Sequence, residues 1–234
     1  MPQKTEERPI IAEQVFELRH EAAGKFLDVR GFVADYLRKQ KFPHWRIETN
    51  SISFHDGKNG IEKDGALVGY KSVGYFVHNP DTKNYFADKA IAFWDVLLKN
   101  GHYDIPEPRR FGVRTKIFLP LESEFTAINK RIYDTFVSAE GVKVFGGTPT
   151  DLQITLDIDE GEFTVHCMLG PLEKNEATRW FPFDSEKFES AGIYLDLDVA
   201  TTKDLKLSNV PSLIKRASTL IWGKLDMIEE SLKL

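Results

Sequence analysis

Apolar and polar positions along the chain alternate between two periods, and the changes of period come twice in the same order. In residues 13–20, Phe16 and Leu18 alternate with Glu17 and Arg19, the period of a strand with one covered face. Phe26, Val29, Phe32, Val33, Tyr36 and Leu37 then recur at helical spacing and run into Arg38-Lys39-Gln40-Lys41, a cationic end that suits a helix C-terminus. Residues 45–54 read as strand with a bulge or break near Asn50, where the parity changes. A turn at residues 55–60 leads into a further strand over residues 67–77. Tyr85, Phe86, Ala90, Phe93, Trp94, Leu97 and Leu98 make an amphipathic helix that Asn100-Gly101 stops.

The order then begins again. After the extended connector Asp104-Ile105-Pro106-Glu107-Pro108, residues 111–119 alternate with Phe111, Val113, Thr115 and Ile117 on one side. Ser123 is placed to cap a helix bearing Phe125, Ile128, Ile132, Phe136 and Val137, which Glu140-Gly141 ends. Strands are predicted at residues 152–158, 163–169 and 193–199, with a long insertion between the last two. A final helix carries Leu213, Ala217, Leu220, Ile221, Leu225, Ile228 and Leu232, with Pro211 tolerated in its first turn. The predicted fold is α+β: two strand–helix–strands–helix repeats, residues 9–104 and 109–234, forming one antiparallel curved sheet with helices packed on one face. Residues 1–8 are polar and expected to fray.

Composition narrows the classes of function. The chain has 234 residues, 41% hydrophobic and 29% charged, enough to bury a core without cross-links. No apolar run approaches the roughly 20 residues of a membrane span. A single cysteine, Cys167, excludes an internal disulfide, and a cytoplasmic setting is the simplest expectation. The net charge of −5 is uneven: residues 1–120 carry 19 basic against 16 acidic side chains, and the remainder 12 against 20. An acidic total argues against a general nucleic-acid binder, and the asymmetry suits a protein partner or a homo-oligomer.

If each strand buries its apolar parity, the opposite parity lines the other sheet face. That face is expected to carry Arg19, Arg110, Arg114 and Lys116 in one region, and Asp157, Asp159, Asp196, Asp198 and His166 in another. Asp157/Asp159 and Asp196/Asp198 each place two carboxylates about 6–7 Å apart on one side of a strand. Should those strands meet, hard oxygen ligands and His166 would suit a divalent cation, and the alternative function is a metal-dependent hydrolase or nucleotide-handling enzyme. No phosphate loop, dinucleotide fingerprint or nucleophile elbow is present, and no catalytic residue, cofactor or metal is assigned. His166 and Cys167 are adjacent and therefore face opposite ways, so Cys167 reads as a small core residue. Trp180, in Arg179-Trp180-Phe181-Pro182-Phe183 of the insertion, suits either a protein contact or a loop that folds its aromatics back onto the core.

Three short motifs carry a family resemblance. Residues 9–19, PIIAEQVFELR, resemble the opening Pro-hydrophobic-x-x-Glu-x-x-Phe-Glu-hydrophobic-Arg of a sporadically distributed, uncharacterised bacterial protein family. Arg110-Phe111-Gly112-Val113-Arg114 is similar to that family's central Arg-hydrophobic-Gly-hydrophobic-Arg, and Leu195-Asp196-Leu197-Asp198 to its late Leu-Asp-hydrophobic-Asp; after Arg114 the chain departs, with Thr115-Lys116-Ile117 where an aromatic and an asparagine are expected. The resemblance brings no established activity and implies only the architecture and an interest in Glu13, Arg110, Arg114, Asp196 and Asp198. The order of elements also resembles the TATA-binding protein, a pseudo-dimeric curved sheet, although this chain is expected to present a different surface in place of that saddle. The function expected from these readings is a non-enzymatic binding or assembly module that uses the polar sheet face.

Overall fold

In the computed structural model, residues 11–40, 42–58, 62–147 and 149–234 are described; the expected fraying of residues 1–8 and the tip of the turn at residues 55–60 lie outside them. Within them nine antiparallel strands form one open sheet: β1 (Ile11–His20), β2 (His44–Ile47), β3 (Ser51–His55), β4 (Asp64–Gly69), β5 (Ser72–His78), β6 (Pro108–Pro120), β7 (Ile154–Glu160), β8 (Phe163–Leu172) and β9 (Gly192–Thr201). Their spatial order is β2-β3-β4-β5-β1-β6-β9-β8-β7, so the long central pair β1 and β6 joins the early strands to the late ones. Among the described residues five α-helices accompany them: α1 (Gly24–Leu37), α2 (Tyr85–Leu98), α3 (Phe125–Phe136), α4 (Ala139–Phe145) and α5 (Val210–Leu232). The architecture is α+β. Among the described residues no helix is long and apolar enough to cross a membrane.

The main core follows the strand alternation. Phe16 and Leu18 of β1, Phe111 and Val113 of β6, and Leu195, Leu197 and Val199 of β9 belong to one buried cluster with Phe26 of α1, Trp94 of α2, Ile128 of α3 and Ile214 of α5. Phe16 sits at its centre, edge-on to Trp94 at 6.0 Å and 5.8 Å from Phe111 between ring centroids. Cys167 is buried in the same cluster, and burial pushes its thiol pKa up, as suits a packed side chain rather than a nucleophile.

Several sequence expectations change in detail. Of the bulge and the break expected near Asn50, the structure has a break in the form of a tight hairpin, closed by the Glu48 amide donating to the Ser51 carbonyl at 2.8 Å, so residues 45–54 form two paired strands. Trp45 consequently lies on the edge strand, 41% exposed. Residues 67–77 likewise split into β4 and β5 around Tyr70-Lys71. Phe32 leaves the helical stripe to stack on His102 at 5.4 Å, 61% exposed. Glu124, not Ser123, is the N-cap of α3. Gly141 does not end that helix; it lies in the first turn of α4, where its amide donates to Ser138 Oγ at 3.1 Å.

Candidate functional site

Antiparallel register decides which side chains share the second face, the one opposite the main core. Because Val15 pairs with Arg114 on one side and Phe76 on the other, and Arg114 pairs with Asp198, a row runs Asp157, His166, Asp198, Arg114, Val15, Phe76 across six strands. The next row holds Met168, Asp196, Lys116, Glu13 and His78. Arg19 and Arg110 face each other farther along β1 and β6. The residues that alternation assigned to this face therefore do share it.

Their charges are arranged differently from the expectation of separate basic and acidic regions. β6 and β9 are neighbours, so the cations of one lie directly against the anions of the other. Arg114 donates to Asp196 from Nε at 2.9 and 3.2 Å and from Nη2 at 2.5 Å, and Tyr194 OH donates to the same carboxylate at 3.3 Å. Arg110 Nη2 reaches Asp198 at 2.8 Å, Lys116 Nζ reaches Glu13 at 2.8 Å, and Arg19 Nε reaches Glu17 at 2.8 Å. The Asp196 carboxylate raises the Arg114 pKa further, through hydrogen bonding first and charge second. Burial, then Asp196, pushes the Tyr194 phenol up.

A groove of about 780 Å³ lies over this region. Its floor is apolar, formed by Val15, Leu67, Phe76 and the bare backbone of Gly74 and Gly112; Arg19, Arg110, Arg114, Lys116, Glu13 and Glu17 stand along it. A Cβ on Gly112 would come within 2.7 Å of Arg110 Nη1, so the absence of a side chain lets the Arg110 guanidinium lie across β6 toward Asp198. His78 closes one wall: its Nδ1–H donates to the Glu62 carbonyl at 3.0 Å, and its Nε2 lies 4.0 Å from Glu13.

The insertion, residues 173–191, bounds the groove. Ala177, Phe181, Phe183 and Phe188 pack as a second cluster on Ile11, Phe118 and Tyr194, the far ends of β1, β6 and β9. Of the two alternatives for the insertion, the loop's phenylalanines fold onto the sheet. Phe183 reaches the His78 ring at 5.1 Å, and Pro182 lines the groove. Trp180 lies on the other side of the insertion, its ring tilted against that of Tyr194 at 4.5 Å between centroids, in a separate depression of about 430 Å³. Its carbonyl nevertheless accepts from Lys116 at 3.2 Å.

Asp157 and His166 stand apart from the groove, exposed and bonded to each other at 2.8 Å. Strand β8 separates Asp157 from Asp198, and Asp159 accepts from the Gly161 amide at 2.9 Å in the turn after β7. Among the described residues no three His, Cys, Asp or Glu side chains converge as a metal-ligand set. The two aspartate pairs thus do not meet, and the geometry offers the hydrolase alternative no support. Sequence reasoning passed over His55, Glu62, Leu67, Phe76 and His78, because a single strand over residues 67–77 gives Leu67 and Phe76 opposite parity, whereas the turn at Tyr70-Lys71 brings them to the same face. The two-residue turn signal was available in the chain but weak. No protein-family model matches the chain, and no curated protein matches it.

Proposed function

We propose that the chain is a non-enzymatic binding or assembly module whose second sheet face receives a protein partner or another copy of the chain. The observation that carries this reading is the groove itself: an apolar floor edged by side chains of both signs, each cation held by a carboxylate. Such a surface suits a partner that brings apolar contact to the floor and polar groups to the rim, because the paired side chains are fixed in place before contact. A duplicated architecture belongs to the same reading. The strand order is arranged outward from β1 and β6, each followed in sequence by a helix and by strands that return to its side. Helices on one face are supported by the main core cluster that α1, α2, α3 and α5 share with one strand parity. Membership of the uncharacterised bacterial family and a cytoplasmic setting complete the proposal, the first supported by the motif residues Glu13, Arg110, Arg114, Asp196 and Asp198, four of which line the groove.

The test must spare the fold. Reversing Arg114 would set a second carboxylate beside buried Asp196, so the informative substitutions are Arg19→Glu and Leu67→Lys, both at exposed positions of the groove. The double variant is expected to weaken self-association, or capture of a partner, by about tenfold or more with an unchanged melting temperature. Lys99→Glu, beyond the end of α2, serves as the control. Association of the double variant equal to that of the control would refute the groove as the interface.

A further inference from the structure

A second cavity, of about 350 Å³, lies on the other side of the sheet between α2 and strands β3 to β5. Its walls are apolar where Leu37, Phe42 and Phe93 meet, and the rings of Phe42, Tyr75 and Phe93 lie 5.3–6.3 Å apart between centroids. Its polar groups divide by sign. Asp64, buried at the end of a strand, accepts from Tyr75 OH at 2.6 Å. Asp56 stands beside it, held by the amides of Lys63 and Asp64, which donate to its Oδ1 at 3.0 and 3.2 Å. Lys89, one turn along α2 from Tyr85, places its ammonium 5.2 Å from the Tyr85 ring centroid. Lys63 also lies over that ring but is bound to Asp81 at 2.5 Å. Among the described residues, neither Asp56, Asp64 nor Lys89 forms an ion pair.

One cavity thus holds two carboxylates and an ammonium that acts on Asp64 through its charge without pairing directly with it, with aromatic walls beside them. We infer that it binds a small zwitterion bearing an apolar group, of which a hydrophobic α-amino acid is the simplest: the ligand ammonium at Asp56 and Asp64, its carboxylate at Lys89, and its side chain against Phe42 and Phe93. A ligand with one charge alone would satisfy one end and leave the other desolvated and unpaired. Burial first, and the neighbouring Asp56 next, raise the Asp64 pKa. An ammonium at this carboxyl favours its ionised form, so a bound ligand opposes the upward shift that burial imposes on Asp64.

Titration calorimetry of the full chain with L-phenylalanine, L-phenylalanine methyl ester and N-acetyl-L-phenylalanine tests each end of the site separately. The free amino acid is expected to bind, and each blocked derivative to bind at least about tenfold more weakly. Lys89→Met is expected to remove the preference for the free acid over the ester, and Asp64→Asn to weaken the amino acid about tenfold while the near-ultraviolet circular dichroism remains that of the parent. Failure of the free amino acid to bind at millimolar concentration overturns the inference, as does an ester that binds the parent protein as tightly as the acid. A Lys89→Met variant that still prefers the acid would also overturn it. None of these outcomes touches the groove on the opposite face.

Discussion

Asp196 shows how unevenly a paired charge can depend on its partner. Its side chain is 4% exposed and that of Arg114 is 52% exposed, so the arginine retains water when the pair is broken and the aspartate does not. Arg114→Met leaves a buried carboxylate with Tyr194 OH as its remaining donor and is expected to cost about 3 kcal/mol. Asp196→Asn leaves a guanidinium free to hydrate and is expected to cost about 1 kcal/mol. Urea unfolding of both variants tests that order. His20 gives the fold a pH dependence. Its Nδ1–H donates to the Glu21 carbonyl at 2.6 Å, its Nε2 faces Tyr103 OH at 2.9 Å, and burial lowers its pKa. The unfolded chain therefore binds a proton more readily than the folded one. The stabilisation is complete above the unfolded histidine value of about 6.5 and is lost as pH falls from there through the lower folded value. Urea midpoints should drop between pH 7 and pH 5, and His20→Gln should flatten that slope. Neither pair partner was legible in the chain, since alternation gives the face of a residue but not its cross-strand neighbour.

At the scale of elements, strong periodicity was readable and short turns were not. Helix α2 occupies Tyr85–Leu98, the span its apolar spacing marks, because seven apolar residues define one stripe and Asn100 then binds the last turn, donating to the Leu97 carbonyl. The hairpins β2–β3 and β4–β5 were each read as one strand, because reversals as tight as these leave little room for turn residues between runs of strand-forming side chains. Close packing between strands explains one further position. A Cβ at Gly65 would lie 2.3 Å from the Phe54 carbonyl oxygen and 2.5 Å from the Phe76 ring, so Gly65→Ala must displace β3 or the groove floor. A loss of about 2 kcal/mol is expected, read from the denaturant midpoint. The insertion depends on its own aromatic cluster. Phe188→Ala, at a fully buried position stacked 5.4 Å from Phe181, should increase amide exchange across residues 173–191 more than in β1 or β6.

Across the whole molecule, the charge imbalance of the two halves of the sequence has a local meaning. The basic excess of residues 1–120 and the acidic excess that follows meet where Arg110 and Arg114 of β6 engage Asp198 and Asp196 of β9. An attraction that the sequence offered to an outside partner is in part satisfied within the sheet, and what remains for a partner is the apolar floor with its rigid polar rim. The sheet face itself was legible in the chain because period-2 alternation survives in β1, β6 and β9; the groove was not, because it depends on strand order and on where the insertion folds back. The most direct test of this account is a photo-crosslinking residue placed at Leu67, in the groove, and in parallel at Lys99 beyond α2. A discrete adduct, with a partner or with a second copy, is expected from position 67 only and is lost on Arg19→Glu. Equal adducts from both positions, or an adduct confined to position 99, would contradict it.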